Sequence, residues 1–539
     1  MHIPAAALPG LNRLALTYLQ EFEAVREFFG VDYRTLENLE AHARTVAKHS
    51  YPREALAHAL HRQNHHWGAG EKVLANIAAL AQPGSLAVVT GQQVGIFGGP
   101  LFTLYKALTC VKLAESLQAR WQQPVVPVFW LAADDDDLAE MNHVLLMTPE
   151  NELVSFSCPL DATARRPAAQ VHLAEAMTEC HRALAENLSE SEFKGEILTA
   201  LAQAYAAGRS LPEAFARWVL YLLGEWGLVP LNPADLEIRR LARPLLLREF
   251  EQDSPSTAAA LRASARLEQA GFGVQVPLRP GRFNAFYVDE VRHALEKQAE
   301  RVVSTDGRVA FSVRELAHRL QDAPQQFSPN VILRPLLQDA LLPNVAYIAG
   351  PGEIAYFAQL RGVYEAFGVP MPAIFPRKSL TLLEGRIKRV QDKYNLPLTA
   401  FWSRPEELVS RVARQHAPEG VFEPVAAARD ALGQRLDELK QRATALDATL
   451  AGFIDKERGK IFHQLEIIEN KLLQATKRQN ETLTQQILKA AHALYPRQQL
   501  QEREFSLVPF LSKHGKGLVR QLYEQMDVQR FDHQVIELF

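Results

Sequence analysis

Apolar residues follow two rhythms along this chain. Leu11, Leu14, Tyr18, Phe22, Val25 and Phe29 step by three and four, and Leu56, Leu60, Trp67, Val73, Ile77 and Leu80 continue more loosely. This spacing predicts a helical region over 1–84 packed on the core. The rhythm changes at Leu86-Ala87-Val88-Val89, an unbroken β-branched run of the kind that forms a strand buried on both faces. Val125 to Leu131 (VVPVFWL) and Ala346 to Ala349 read as second and third buried strands. The first strand runs into a glycine-rich loop (Gly91, Gly95, Gly98, Gly99). Pro100 and an apolar helical stripe of Leu101, Leu104, Tyr105, Leu108, Val111 and Leu113 come next. The third runs into Gly350-Pro351-Gly352 and a helix from Ile354 to Phe367. Strand, glycine turn, helix, used twice, predicts a parallel α/β core whose two turns line one crevice beyond the carboxyl ends of the strands.

Between these halves, Leu153 to Phe156, Leu228 to Leu231 and Phe283 to Val288 read as short strands and Leu211 to Leu223 as an amphipathic helix. The alternation predicts α/β insertions between the halves of a sheet. From Val425 to Tyr495 there is no proline; Leu432, Leu436, Leu439, Ala443, Leu446, Leu450 and Phe453 form a heptad seam. Ile461, Leu465, Ile468 and Leu472 form another, and Leu483, Ile487, Ala490 and Leu494 resume after a stutter. Two helices folding back as an antiparallel coiled coil, reversing between Ala443 and Gly459, account for this; a long helix pairing with another chain is the alternative. The expected divisions are therefore 1–84 helical, 85–150 first half of the core, 151–325 inserted segments, 326–420 second half, 421–496 coiled coil and 497–539 returning to the core.

Composition narrows the class. The chain has 539 residues, 47% hydrophobic and 22% charged, which is ordinary for globular domains. A formal net charge of −3 gives no global reason to expect a nucleic-acid partner. No apolar run approaches the roughly 20 residues of a membrane span, and the N-terminus lacks a signal-peptide pattern, so a cytoplasmic location is expected. Cys110, Cys158 and Cys180 lie far apart with no C-x-x-C, so each is expected to be a small buried hydrophobe rather than a disulfide or zinc partner.

Chemistry-bearing residues gather at the predicted strand ends. The glycine loop is neither G-x-G-x-x-G nor a P-loop, yet strand, glycine loop and helix can present backbone N–H groups to an anion, with Thr103 and Lys106 in the first two turns. Glycines that merely permit tight packing are the alternative. The second strand ends in Asp134-Asp135-Asp136-Asp137, followed by Glu140, Asn142 and His143. Four adjacent carboxylates need a cation or a basic partner to stay charged, and magnesium carried in with a nucleotide would serve; a solvated acidic loop is the alternative. Glu353, Tyr356 and Gln359 are expected at or near the crevice, with Arg334 and Asp339 preceding it. His61, His65 and His66 read as a solvated helix face, a metal site being the alternative, and Arg165, Arg166, Arg279 and Arg282 as surface residues unless an anionic substrate faces them.

The runs TGQQVGIFGGPLFTLYKA, PVFWLAADDDDLAEMNH and NVILRPLLQDALLPNVAYIAGPGEIAYFAQL, with the closing LYP and VPFLSKHG, carry a family resemblance. In order and across nearly the whole chain, they resemble the bacillithiol-biosynthesis cysteine-adding enzymes, the cysteine ligases that complete that low-molecular-weight thiol. The resemblance implies a Rossmann-type core with inserted connecting segments, related in plan to class I aminoacyl-tRNA synthetases, and a C-terminal coiled coil used for homodimerisation. It also implies the reaction: joining the carboxyl group of L-cysteine to the amine of glucosaminyl-malate. A free carboxylate does not acylate an amine, so activation is needed, and ATP is the expected donor. Thr90, Gly91, Gln92, Gln93 and the Gly98-Gly99-Pro100 turn, with Gly350 and Gly352, would hold the nucleotide, and Lys106 would stabilise phosphate charge. The loop Asp134 to Asp137, with Asn142, would hold magnesium or the cysteine ammonium. Glu353 or His143 would accept the amine proton, and Arg334 or Arg377 would pair with the malate carboxylates. One position departs from the pattern: that family's acidic segment usually reads Glu-Asp-His-Asp, and its histidine is Asp136 here. Two other readings are open: another class I synthetase-like nucleotidyl or acyl transferase, or a nucleotide-binding coiled-coil scaffold without catalysis.

Overall fold

A computed structural model describes residues 1–150, 152–160 and 165–538. The chain forms two compact units, Met1–Thr381 with Glu502–Ile536, and Leu382–Gln501 with Glu537–Phe539.

The larger unit is built on five parallel strands: β1 (Leu86–Gln92), β2 (Val125–Leu131), β3 (Val229–Leu231), β4 (Asn344–Ala349) and β5 (Ala373–Pro376), in the order β5-β4-β1-β2-β3. Every residue of β2 and β4 is buried, as continuous apolar runs require when helices cover both faces. The order is that of a Rossmann half-sheet, in which the chain leaves the central strand toward one side and later returns on the other. The switch point therefore falls between β1 and β4. Expectation and structure differ at β3: Val229–Leu231, read from sequence as part of an insertion, is the edge of this sheet, since three residues carry too short a period to reveal a partner strand.

Helix α1 (Leu101–Trp121) follows β1 and is buried over most of its first fourteen residues, Thr103, Lys106 and Thr109 included. Before β4 comes α2 (Leu333–Leu341), and after it the chain makes α3 (Pro351–Phe357) and α4 (Arg361–Phe367). The single helix expected from Ile354 to Phe367 is thus broken, and Gln359 at the break spends its amide on Ser264 and on both backbone groups of Val276. The inserted segments supply a hairpin, His143–Met147 with Leu153–Ser157, and a separate antiparallel five-stranded sheet that includes Arg282–Val288 and Arg292–Gln298. Helices occupy the N-terminal region as the apolar spacing predicts, and His2–Ile3 pairs antiparallel with His533 and Gln534.

The cysteine expectation is corrected: Cys158 and Cys180 form a disulfide, while Cys110 is free and buried. The hairpin and the helix Met177–Glu186 bring the two together across 22 residues, a proximity that spacing alone does not encode.

The smaller unit carries α5 (Glu423–Leu446), α6 (Leu450–Gln479) and α7 (Glu481–Leu494). The reversal falls at 447–449, inside the expected interval. Lys440 pairs with Asp455 at 2.6 Å and Arg458 with Asp437 at 2.6 Å, which fixes α5 and α6 as an antiparallel pair. The heptad seam does not fill the space between them. Leu432, Leu439 and Leu446 are exposed on α5, as is Phe453 on α6. Among the described residues no helix is long and apolar enough to cross a membrane.

Candidate active site

At the switch point, a crevice of about 350 Å³ is lined by Gly91, Gln92 and Gln93 at the end of β1, and by Gly350, Pro351, Gly352 and Glu353 at the end of β4. Trp130, Ala132 and Asp135 come from the end of β2, and Lys106, Arg334, Tyr347, Tyr356, Arg377 and Arg503 close the walls. Gly91 is required by space. A Cβ there would lie 2.8 Å from the Trp130 carbonyl oxygen, closer than any side chain tolerates.

Lys106 ties the two turns together. Its ammonium is 1% exposed and donates to Glu353 Oε2 at 2.7 Å, to Gln92 Oε1 at 3.3 Å and to the Gly91 carbonyl. Burial lowers its pKa, and Glu353 opposes that fall. Glu353 in turn accepts the Tyr347 hydroxyl at 2.8 Å and the Gly350 N–H at 2.7 Å, the second contact capping α3. Both its oxygens are therefore engaged. Arg377 is equally committed: it pairs with Glu502 at 2.7 Å, both side chains buried, and Glu502 also takes Ser379 and the Leu380 N–H. Arg334 differs. It donates to the neutral Gln338 at 3.2 Å and the Tyr356 hydroxyl at 2.9 Å, and nearby phenols and Glu353 keep its pKa raised.

The acidic loop is divided among separate tasks. Asp134 is buried against Arg239, Asp136 pairs with Arg292 at 2.8 Å, and Asp137 caps the helix Leu138–Met141. Only Asp135 reaches the crevice, accepting Gln93 Nε2 at 2.7 Å. The basic partners that the carboxylate run demands are thus two arginines. Among the described residues no group of three or more His, Cys, Asp or Glu side chains is arranged to hold a metal ion.

Of the sequence candidates, the structure brings Gly91, Gln92, Gln93, Lys106, Asp135, Arg334, Gly350, Gly352, Glu353, Tyr356 and Arg377 to one crevice. It does not bring the others there. Thr90 is buried and bonds the Ile348 carbonyl on β4, and His143 opens the hairpin with its Nδ1 at 2.8 Å from the Ala139 carbonyl. Asn142 accepts the Cys158 N–H through its carbonyl. Gly98, Gly99, Pro100 and Thr103 line a different, apolar cavity with Phe129, Phe215 and Trp218. There the loop N–H groups are already used: Gly98 donates to the Tyr205 hydroxyl at 3.0 Å, Gly99 to Ile96 and Leu101 to Phe505. Sequence reasoning passed over Tyr347, Gln275 and Arg503. Alternation along β4 places Tyr347 on the side of Glu353, but nothing local marks Arg503, which arrives from beyond the coiled coil.

Comparison with known proteins agrees with the fold. Residues 1–378 match the family model described as the N-terminal Rossmann-like domain of bacillithiol biosynthesis BshC, and residues 380–538 match its C-terminal coiled-coil domain. A protein of Salinibacter ruber named "putative cysteine ligase BshC" is 37% identical over 99% of this chain and 97% of its own length. A protein of the same name from Symbiobacterium thermophilum is 34% identical over the whole of both chains, and one from Chloroherpeton thalassium is 33% identical over 95% and 93%. The chain is an amide-forming ligase and belongs to the bacillithiol-biosynthesis BshC family.

Proposed function

We propose that the crevice joins the carboxyl group of L-cysteine to the amine of glucosaminyl-malate. The balance of charge in the crevice carries this reading. Lys106 and Glu353 neutralise each other, and so do Arg377 and Glu502. Facing the space are two guanidinium groups, Arg334 and Arg503, with no acidic side chain in direct contact among the described residues, and one carboxylate, Asp135, whose side-chain partner is the neutral Gln93 amide. Two cations complement two ligand carboxylates and one anion complements an ammonium, which leaves the cysteine carboxyl for activation and the sugar amine, as the neutral nucleophile, out of the balance. The malate moiety supplies the first, for which guanidinium forks are well shaped, and an amino acid supplies the second.

In this reading Arg334 and Arg503 hold the malate carboxylates, and Arg377 fixes the Glu502 segment from which Arg503 projects. Asp135 holds the cysteine ammonium or accepts the proton that the sugar amine loses as its lone pair attacks the activated cysteine carbonyl carbon and the activating adenylyl or phosphoryl group leaves with the electrons of its bond to that carbon. The pair of Lys106 and Glu353 keeps the two strand ends in register and holds the Gln92 side chain at the crevice wall. Activation of the cysteine carboxyl remains a chemical requirement. The residues Gly98, Gly99, Pro100 and Thr103 do not fit a phosphate cradle, because their loop spends its N–H groups on protein. The Gly350 N–H is likewise taken, by Glu353, and Pro351 has none, so ATP with magnesium, as the donor to test first, would be held instead by the Gln92 and Gln93 side chains with Gly352. The exposed leucine row on α5 supports a homodimer through the coiled coil, and a cytoplasmic enzyme accords with the substrates proposed.

Reconstitution tests the reading. Purified protein, L-cysteine, glucosaminyl-malate and magnesium ATP should yield the cysteinyl amide with one AMP or ADP per product by mass spectrometry. Intact substrates after incubation with folded protein would refute it.

A further inference from the structure

Behind Arg334 runs a line of buried polar groups that the proposed reaction does not use. Arg334 and Gln338 stand one turn apart on α2, so their side chains meet on one helix face. Gln338 accepts from Arg334 Nη1 through Oε1 at 3.2 Å, and its Nε2 donates to Asp339 Oδ1 at 2.8 Å. Asp339 ends the line. Its Oδ1 also accepts Asn344 Nδ2 at 2.9 Å, and its Oδ2 accepts the Tyr364 hydroxyl at 2.5 Å. Gln338 is 0% exposed and Asp339 1%.

An amide has a donor end and an acceptor end, and whatever one end meets decides which end faces the other way. Three donors converge on Asp339, so it must accept from all of them. That turns the Gln338 carbonyl toward Arg334. The guanidinium and the carboxylate become an ion pair bridged by one amide, which leaves the outer N–H groups of the fork for a ligand. The arrangement is costly for folding. Burial pushes the Asp339 carboxyl up to about 6, against the pull of its hydrogen bonds and of Arg334, with Tyr51 and Tyr364 the other titratable groups that feel it. A charge held in the core at neutral pH without a direct cationic partner calls for a reason beyond packing.

We propose that Asp339 is a positioning residue for substrate: through Gln338 it fixes the fork of Arg334 that grips a carboxylate in the crevice. The proposal rests on the dicarboxylate reading of the crevice and adds the group that aims its principal cation.

The test uses full-length Asp339→Asn, Gln338→Met and the double variant. The first exchanges one accepting oxygen for a donor while three donors still point at it; the second cuts the bridge and leaves the carboxylate. Each should raise both KM and Kd for glucosaminyl-malate about tenfold, as loss of one charged hydrogen bond would, with kcat within about twofold. The double variant should be no worse than Gln338→Met alone, because both changes break one line. Asp339→Asn removes a buried charge but sets an amide donor against donors, so its melting temperature at pH 8 should fall by a few degrees while kcat of the folded protein holds. Additive effects, an unchanged KM, or joint loss of kcat and melting temperature would overturn the proposal. A second readout needs no substrate: modification of Arg334 by phenylglyoxal, followed by peptide mass spectrometry, should be faster in both single variants. If the parent protein does not bind glucosaminyl-malate, the dicarboxylate reading falls, and the modification rate decides the positioning role: faster sustains it, unchanged overturns it.

Discussion

Two stretches of this chain share one plan and have opposite fates. At 344–357 the strand, the Gly350-Pro351-Gly352 turn and the helix open onto a crevice lined with polar groups. At 86–121 only the first glycine does so. Beyond Gln93, Phe97 takes φ 52°, Gly98 φ 88° and Gly99 φ 68°, and the loop folds against Tyr205, Trp218 and Phe505. A glycine states that something approaches the backbone closely. It does not state whether that neighbour is a ligand or another part of the protein, and the N–H groups settle the matter: paired with protein, they have nothing left for an anion.

Substitutions can break this contrast. The largest effect is expected for Lys106→Met, which leaves Glu353 without its cation at the junction of β1 and β4. About 3 kcal/mol or more of stability should be lost, read as a fall in the denaturant midpoint. Asp135→Asn should lower turnover about 100-fold, the contribution of a positioned acid or base, while the melting temperature stays within about two degrees. On the glycine loop the balance should invert. A Cβ on Gly98 would lie 2.7 Å from the Trp218 indole nitrogen, so Gly98→Ala should cost about 1–3 kcal/mol of stability yet leave turnover per folded molecule intact. Smallest of all is Thr103→Val. The Thr103 hydroxyl is buried with no hydrogen-bond partner, so replacing it by a methyl should be neutral or stabilising by up to about 1 kcal/mol, with KM for nucleotide unchanged. A marked rise in nucleotide KM in Thr103→Val would place the phosphates at the loop after all.

The sequence pattern revealed β2 whole and the apolar parts of β1 and β4, because continuous apolar runs of this kind, bounded by turn residues, are the mark of strands buried on both faces. The coiled-coil reversal was legible from its seams. The pattern read Leu228 to Leu231 as a strand but did not place β3 in the core sheet, and it did not reveal β5 or the disulfide, which depends on a hairpin and a helix meeting. In the site, residues at strand ends were legible by position: Gly91, Gln92, Gln93, Asp135 and Gly350 all come after buried runs. The partners that decide their roles were not. Arg239 and Arg292 lie 105 and 156 residues from the acids they neutralise, and Glu502 lies 125 from Arg377. Those pairings balance Asp134, Asp136 and Arg377 within the protein, and single out Asp135, Arg334 and Arg503.

One titration reaches that selection most directly. Calorimetry should compare glucosaminyl-malate with its monomethyl ester, in which one malate carboxylate is masked, on the parent protein and on Arg503→Gln. The parent should bind the ester about tenfold more weakly, the worth of one charge-assisted contact, and Arg503→Gln should bind the two ligands equally. Equal binding of both ligands by the parent, or an undiminished preference in Arg503→Gln, would contradict a crevice whose unmatched charges read two carboxylates.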